Sequence, residues 1–125
     1  MGLKILIVDD EEIVRDSVKL CLEPEGYEIH EATNGASGLA GARKIKPDLL
    51  ILDLMMPDKW GYTVCEELRK DPETSKMKIL FLTGRAGGPS RKMGLDKGGD
   101  DYLTKPFMPD ELKKKVKELL AGSTG

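Results

Sequence analysis

The chain has 125 residues, about one domain's worth, since domains usually run ~100–150 residues. Its 20 Lys and Arg stand against 22 Asp and Glu, a net charge of −2, which argues against blanket binding of nucleic acid or an anionic membrane. The balance hides a gradient: residues 1–62 hold 12 acids and 7 bases (net −5), residues 63–125 hold 10 acids and 13 bases (net +3). Hydrophobic residues make up 39%, enough for a small globule and too many for a disordered chain. The first apolar run, residues 5–8, ends at Asp9-Asp10 and is too short for a secretory core. No stretch approaches the ~20 apolar residues that span a bilayer. Cys21 and Cys65 stand far apart in helical patterns, as expected of buried thiols in a reducing compartment. The cytoplasm is the expected location.

In chain order, two periodicities alternate. Residues 3–8 form a nearly unbroken apolar run, as in a strand covered on both faces. Val14, Val18, Cys21 and Leu22 then recur at helical spacing up to Pro24 and Gly26. Residues 27–32 read as a second strand, Asn34-Gly35 as a turn, and 37–46 as a helix ending before Pro47. Gly38 and Gly41 should weaken that helix by ~1 kcal/mol each relative to Ala. Residues 48–54 supply a third strand and Tyr62, Cys65 and Leu68 open a third helix, which ends near Asp71-Pro72.

Residues 78–83 make the fourth strand. Gly87-Gly88-Pro89 delays the helix that should follow, placing a short one at 90–97. A fifth strand falls at 101–104, and Leu112, Val116, Leu119 and Leu120 mark a last helix that opens at Pro109-Asp110-Glu111. Buried-type strands alternating with helices predict an α/β fold: a doubly wound, five-stranded parallel sheet with about five helices. The chain is expected to be one domain over 1–125, with its core at about 3–121 and a loose tail at 122–125.

In open parallel sheets, ligands sit beyond the carboxyl ends of the strands. Asp9 and Asp10 follow the first strand, Asp53 ends the third, Thr83 closes the fourth, and Lys105-Pro106 follows the fifth. Any one polar residue at a strand end is ordinary; all of them on one edge point to a site. Three clustered carboxylates repel one another unless one takes a proton or a hard divalent cation such as magnesium joins them. A metal, a lysine and a hydroxyl around one carboxylate are the equipment of phosphoryl transfer, with Asp53 as nucleophile. No P-loop and no G-x-G-x-x-G occurs. A phosphatase using a strand-end aspartate would place a second acid two residues on, where this chain has Met55.

Ile7-Val8-Asp9-Asp10, Leu52-Asp53-Leu54-Met55-Met56-Pro57 with Gly61, Leu82-Thr83 and Asp101-Tyr102-Leu103-Thr104-Lys105-Pro106-Phe107 together resemble the receiver domain of bacterial two-component response regulators. The spacings agree: 30 residues from Asp53 to Thr83 and 22 from Thr83 to Lys105. The resemblance covers about residues 3–121 and implies a flavodoxin-like sheet of order 2-1-3-4-5. It implies that Asp53 accepts a phosphoryl group from a phosphohistidine on a histidine kinase or phosphotransfer protein, or from a small acyl phosphate. Magnesium would be held by Asp10, Asp53 and the main-chain carbonyl of Met55, with Asp9 acting through water. Lys105 would pair with Asp53 or the phosphate, Thr83 would bond a phosphate oxygen, and Tyr102 would turn inward when Thr83 moves. The Lys105-Pro106 bond would be cis.

The function expected is a phosphorylation-dependent signalling switch, with at most self-phosphorylation and slow self-dephosphorylation. The alternatives are a small magnesium-dependent phosphatase of the same topology and an unphosphorylated docking module. Gly84 should leave the phosphate entrance open, and Met55 and Arg85, flanking the path of attacking water, offer no acid or amide to position it. An output protein or fused effector domain, a monomer or weak homodimer, and no direct contact with nucleic acid or membrane complete the expectation. His30 reads as structural, Lys113, Lys114, Lys115 and Lys117 as a solvated helix face, Glu11 and Glu12 as exposed acids that add to the field attracting the metal, and Trp60 as a partly exposed anchor.

Overall fold

The computed structural model describes residues 2–84 and 98–123. Five strands, β1 (Lys4–Val8), β2 (Glu28–Ala32), β3 (Leu49–Asp53), β4 (Lys78–Thr83) and β5 (Asp101–Thr104), form one sheet in the order β2-β1-β3-β4-β5. Every pairing is parallel, so all five carboxyl ends reach one edge. Four helices belong to the described residues: α1 (Glu12–Leu22), α2 (Gly35–Ile45), α3 (Gly61–Lys70) and α4 (Pro109–Ser123). The helix expected at 90–97 lies outside them. A 3-10 turn at Glu23–Glu25 follows α1 and ends at Gly26, whose φ of 93° is a left-handed conformation suited to glycine.

Alternating side chains feed two cores. Leu6, Val8, Leu50, Leu52, Ile79 and Phe81 pack with Leu39, Ala42, Val64, Cys65 and Leu68 of α2 and α3. Ile5, Ile7, Leu49, Ile51, Leu80 and Leu82 pack with Val18, Leu22, Leu112, Val116 and Leu120 of α1 and α4. Both faces of the central strands are therefore dry, which is why β3 is buried at all five positions. Arg69 of α3 donates to the carbonyls of Ser75, Met77 and Gly98 and to Asp100, stapling the start of β4 to the approach to β5.

Two readings of α2 are corrected. Asn34-Gly35 is no turn ahead of a helix at 37; Asn34 is the N-cap and Gly35 the first helical residue. Asn34 accepts from the Ser37 amide at 2.8 Å and Ser37 Oγ accepts from the Asn34 amide at 3.2 Å, a capping box with serine in the third position. The two glycines also differ in kind. A Cβ at Gly38 would stand 2.6 Å from Val8 Cγ1, whereas at Gly41 it would meet Leu6 Cδ2 at 3.4 Å. Gly38 lets the helix approach β1 closely, and Gly41 does not need to be glycine. At the other end of the chain, α4 runs through Ser123, into the stretch read as a tail.

Gly38→Ala is therefore expected to destabilise the protein by about 1–3 kcal/mol through overpacking against Val8, despite the better helix propensity of alanine. Gly41→Ala should be neutral or stabilising by up to about 1 kcal/mol. Urea unfolding of the two variants checks this; equal effects would contradict it.

Candidate functional site

Because the strands are parallel, their carboxyl ends deliver Asp9, Asp53, Thr83 and Lys105 to one cleft. Asp9 and Asp53 are buried at 0% and 3% exposure, Thr83 is buried, and Asp10 is exposed at the rim. Carboxylate oxygens of Asp9, Asp10 and Asp53 all lie within 4.8 Å of one another. This donor set of hard oxygens, open to water on the Asp10 side, suits magnesium or a similar divalent cation.

Lys105 Nζ lies 3.2 Å from Asp9 Oδ2, 3.2 Å from Glu11 Oε1 and 3.4 Å from Asp53 Oδ1. Its main-chain amide donates to the Thr83 carbonyl at 2.6 Å, so β4 sets where the lysine emerges. The Lys105-Pro106 bond is cis, as the resemblance implied. Asp9 Oδ1 accepts from the Glu11 amide at 2.9 Å, and its carbonyl accepts from Arg15 of α1 at 2.8 Å. The Met55 amide reaches Asp53 Oδ1 at 3.4 Å.

Burial, together with the charge of Asp9, pushes the Asp53 carboxyl up to about 6. Burial likewise raises Asp9, against the pull of the Glu11 amide and Lys105. For Lys105 burial acts downward, yet Asp53, Asp9 and Glu11 together hold it above the usual lysine range. Among the described residues, one ammonium thus faces more negative charge than it can offset, and the two aspartates hold their ionised forms at a cost.

An open cleft of about 640 Å³ extends from these groups along α1. Gly84 and the exposed Met55 stand at its mouth, and among the described residues a Cβ at Gly84 would meet nothing within 4 Å. Tyr102 is half-buried on β5 and packs against the core on the α2 and α3 side. Arg85 lies outside the described residues. Two contacts of the site's framework were not foreseen. Glu11, expected as an exposed acid adding to the field that attracts the metal, is exposed and also holds Lys105 directly, and Asp58, unremarked in the sequence, fastens the loop after Asp53 to α2. For Glu11, its place as the third acid of the run Asp9-Asp10-Glu11-Glu12 was the hint the sequence carried. His30 lies on edge strand β2 beside Glu28 at 2.6 Å, remote from the cleft.

An open, doubly wound parallel sheet with a carboxylate cluster and a lysine at its carboxyl edge has the build of a receiver domain. The family model "Response regulator receiver domain" matches residues 5–117. The chain belongs to that family, whose members are phosphorylation-dependent signalling switches. It is 43% identical, over 94% of its length, to the DNA-binding dual master transcriptional regulator RpaA of Synechocystis, of which it covers 48%. The chain spans about half the length of the curated relatives it matches.

A putative response regulator from Chloroflexus aurantiacus superposes with a TM-score of 0.93 at 39% identity, covering 97% of this chain and 99% of that one. The receiver domain of the sensor histidine kinase PA1611 from Pseudomonas aeruginosa gives 0.88 at 26% identity, covering 97% and 99%. That structure holds a magnesium ion in its active site cleft.

The raised Asp53 pKa has a stability consequence in metal-free protein. An acid with a folded-state pKa above its unfolded value of about 3.9 contributes stability that is fully present below that value and is lost as pH rises through about 6. Asp53→Asn should therefore be more stable than the parent at pH 7.5 in chelator, on the order of 1–3 kcal/mol, with the gain vanishing near pH 4. Urea unfolding at the two pH values tests this, and equal stability at pH 7.5 would contradict it.

Proposed function

We propose that Asp53 accepts a phosphoryl group and that Asp10, Asp53 and the Met55 carbonyl hold magnesium, with Asp9 acting through water. The observation that carries the reading is the meeting of three carboxylates within 4.8 Å with a lysine 3.2–3.4 Å from two of them. An Asp53 oxygen attacks phosphorus, forming an acyl phosphate while the bond from phosphorus to the donor breaks; the donor is a phosphohistidine of a kinase or phosphotransfer protein, or a small acyl phosphate. Magnesium, when bound, draws charge from the phosphoryl oxygens. Lys105 moves from the carboxylate to the new phosphate, and Thr83 donates its hydroxyl to a phosphate oxygen.

Phosphorylation adds roughly two negative charges at one point. Withdrawal of the Thr83 hydroxyl toward them opens space for Tyr102, so the β4–β5 side of the domain reports the chemistry. Met55, with Arg85 two residues beyond Thr83, gives no group to orient attacking water, and the acyl phosphate is therefore long-lived. We assign the chain as a single cytoplasmic receiver domain, monomeric or weakly dimeric, that passes its state to an output protein or a fused effector domain.

Acetyl phosphate with magnesium should add one acid-stable, base-labile phosphoryl group to the protein by mass spectrometry. Asp53→Asn and chelation should each abolish it. An adduct that survives Asp53→Asn would overturn the assignment.

A further inference from the structure

We infer that Asp58 is a positioning residue for the magnesium site, fastening the loop between β3 and α3 to the first turn of α2 and so holding the Met55 main-chain carbonyl in place. The inference rests on the proposed reading that this carbonyl is a metal ligand.

The loop leaves Asp53 and re-enters helix at Gly61. Its stem is closed on itself and on the sheet. The Leu54 amide donates to the Leu82 carbonyl at 3.0 Å, the Gly61 amide donates to the Leu54 carbonyl at 2.8 Å, and Met55 bridges Trp60 in antiparallel fashion. A Cβ at Gly61 would stand 2.4 Å from the Asp53 carbonyl oxygen, so glycine is required for this closure. Met55 is therefore carried by a narrow stem whose direction depends on where the tip is held.

Asp58 holds the tip. Its Oδ1 accepts from the Gly35 amide and its Oδ2 from the Ala36 amide, each at 2.9 Å. These are the first two amides of α2, at the positive end of the helix dipole. The next two are served by the helix's own cap, Ser37 by the Asn34 side chain and Gly38 by the Asn34 carbonyl. Asp58 and Asn34 thus cap the same helix end from different sides, but only Asp58 belongs to the metal-site loop. The Gly35 and Ala36 amides hold the Asp58 carboxyl below the usual carboxylate range. Gly35 also admits the loop closely: a Cβ there would stand 2.7 Å from Lys59 Cβ. Lys59 adds an ion pair to Glu67 of α3 at 3.4 Å.

The test is magnesium titration followed by Trp60 fluorescence, with amide exchange at residues 55–60 measured in metal-free protein. Asp58→Ala and Gly35→Ala, which release or displace the tip, should weaken magnesium binding on the order of tenfold and speed exchange at 55–60. Asn34→Ala, which uncaps the same helix without freeing the loop, should leave both unchanged. Unaltered affinity in Asp58→Ala, or equal weakening in Asn34→Ala, would overturn the inference. A parent protein that binds no magnesium would instead sink the metal-site reading beneath it, and the inference with it.

Discussion

The arrangement depends on one lysine among carboxylates. Lys105 Nζ sits within 3.4 Å of Asp9, Asp53 and Glu11, and Asp10 adds a further charge at the rim. The ammonium lowers the repulsion enough for these acids to share a cleft, yet it leaves Asp53 up at about 6. That residual imbalance is the property a cation can use. A site fully neutralised by its own lysine would gain little from a metal, and one with no lysine would pay the full penalty of burying Asp9 and Asp53.

Keeping such a cluster together requires a rigid floor. The two apolar layers supply it, because each central strand buries alternate residues against α2 and α3 or against α1 and α4. The strand ends are consequently fixed in register: Asp53 lies opposite Leu82 and Thr83 opposite Thr104, directly before Lys105. Burying a charged group at the end of a dry strand also explains the raised carboxyl pKa values, since the same packing that positions the acids removes their water. Glu11 is different, being largely exposed; its bond to Lys105 draws the lysine toward the rim.

The strands were plain in the sequence because strands covered on both faces are apolar throughout, and their polar ends mark the site. The acids at 9, 10 and 53 and the lysine at 105 could thus be brought to one edge by topology alone. The start of α2 is hidden in the sequence for a local reason. Asn34-Gly35 is ordinary turn chemistry, and a capping box usually carries Glu or Gln where this one has Ser37. The contributions of Glu11 and Asp58 were hidden for a longer-range reason. Exposed acids near loops look solvated, while their partners are 94 residues away for Glu11 and 22 to 23 for Asp58. Gly38 likewise looked like a weak point in a helix until Val8 was placed beneath it.

The most direct measurement of the central claim is calorimetric titration of magnesium at pH 6.0 and pH 7.5 in buffers of different ionisation enthalpy, which counts the protons released on binding. An Asp53 carboxyl near 6 in the metal-free protein that must ionise to hold the cation predicts release of about half a proton at pH 6.0 and almost none at pH 7.5. Proton release at pH 6.0 should disappear in Asp53→Asn. Binding without proton release at either pH, or no magnesium binding, would contradict the account.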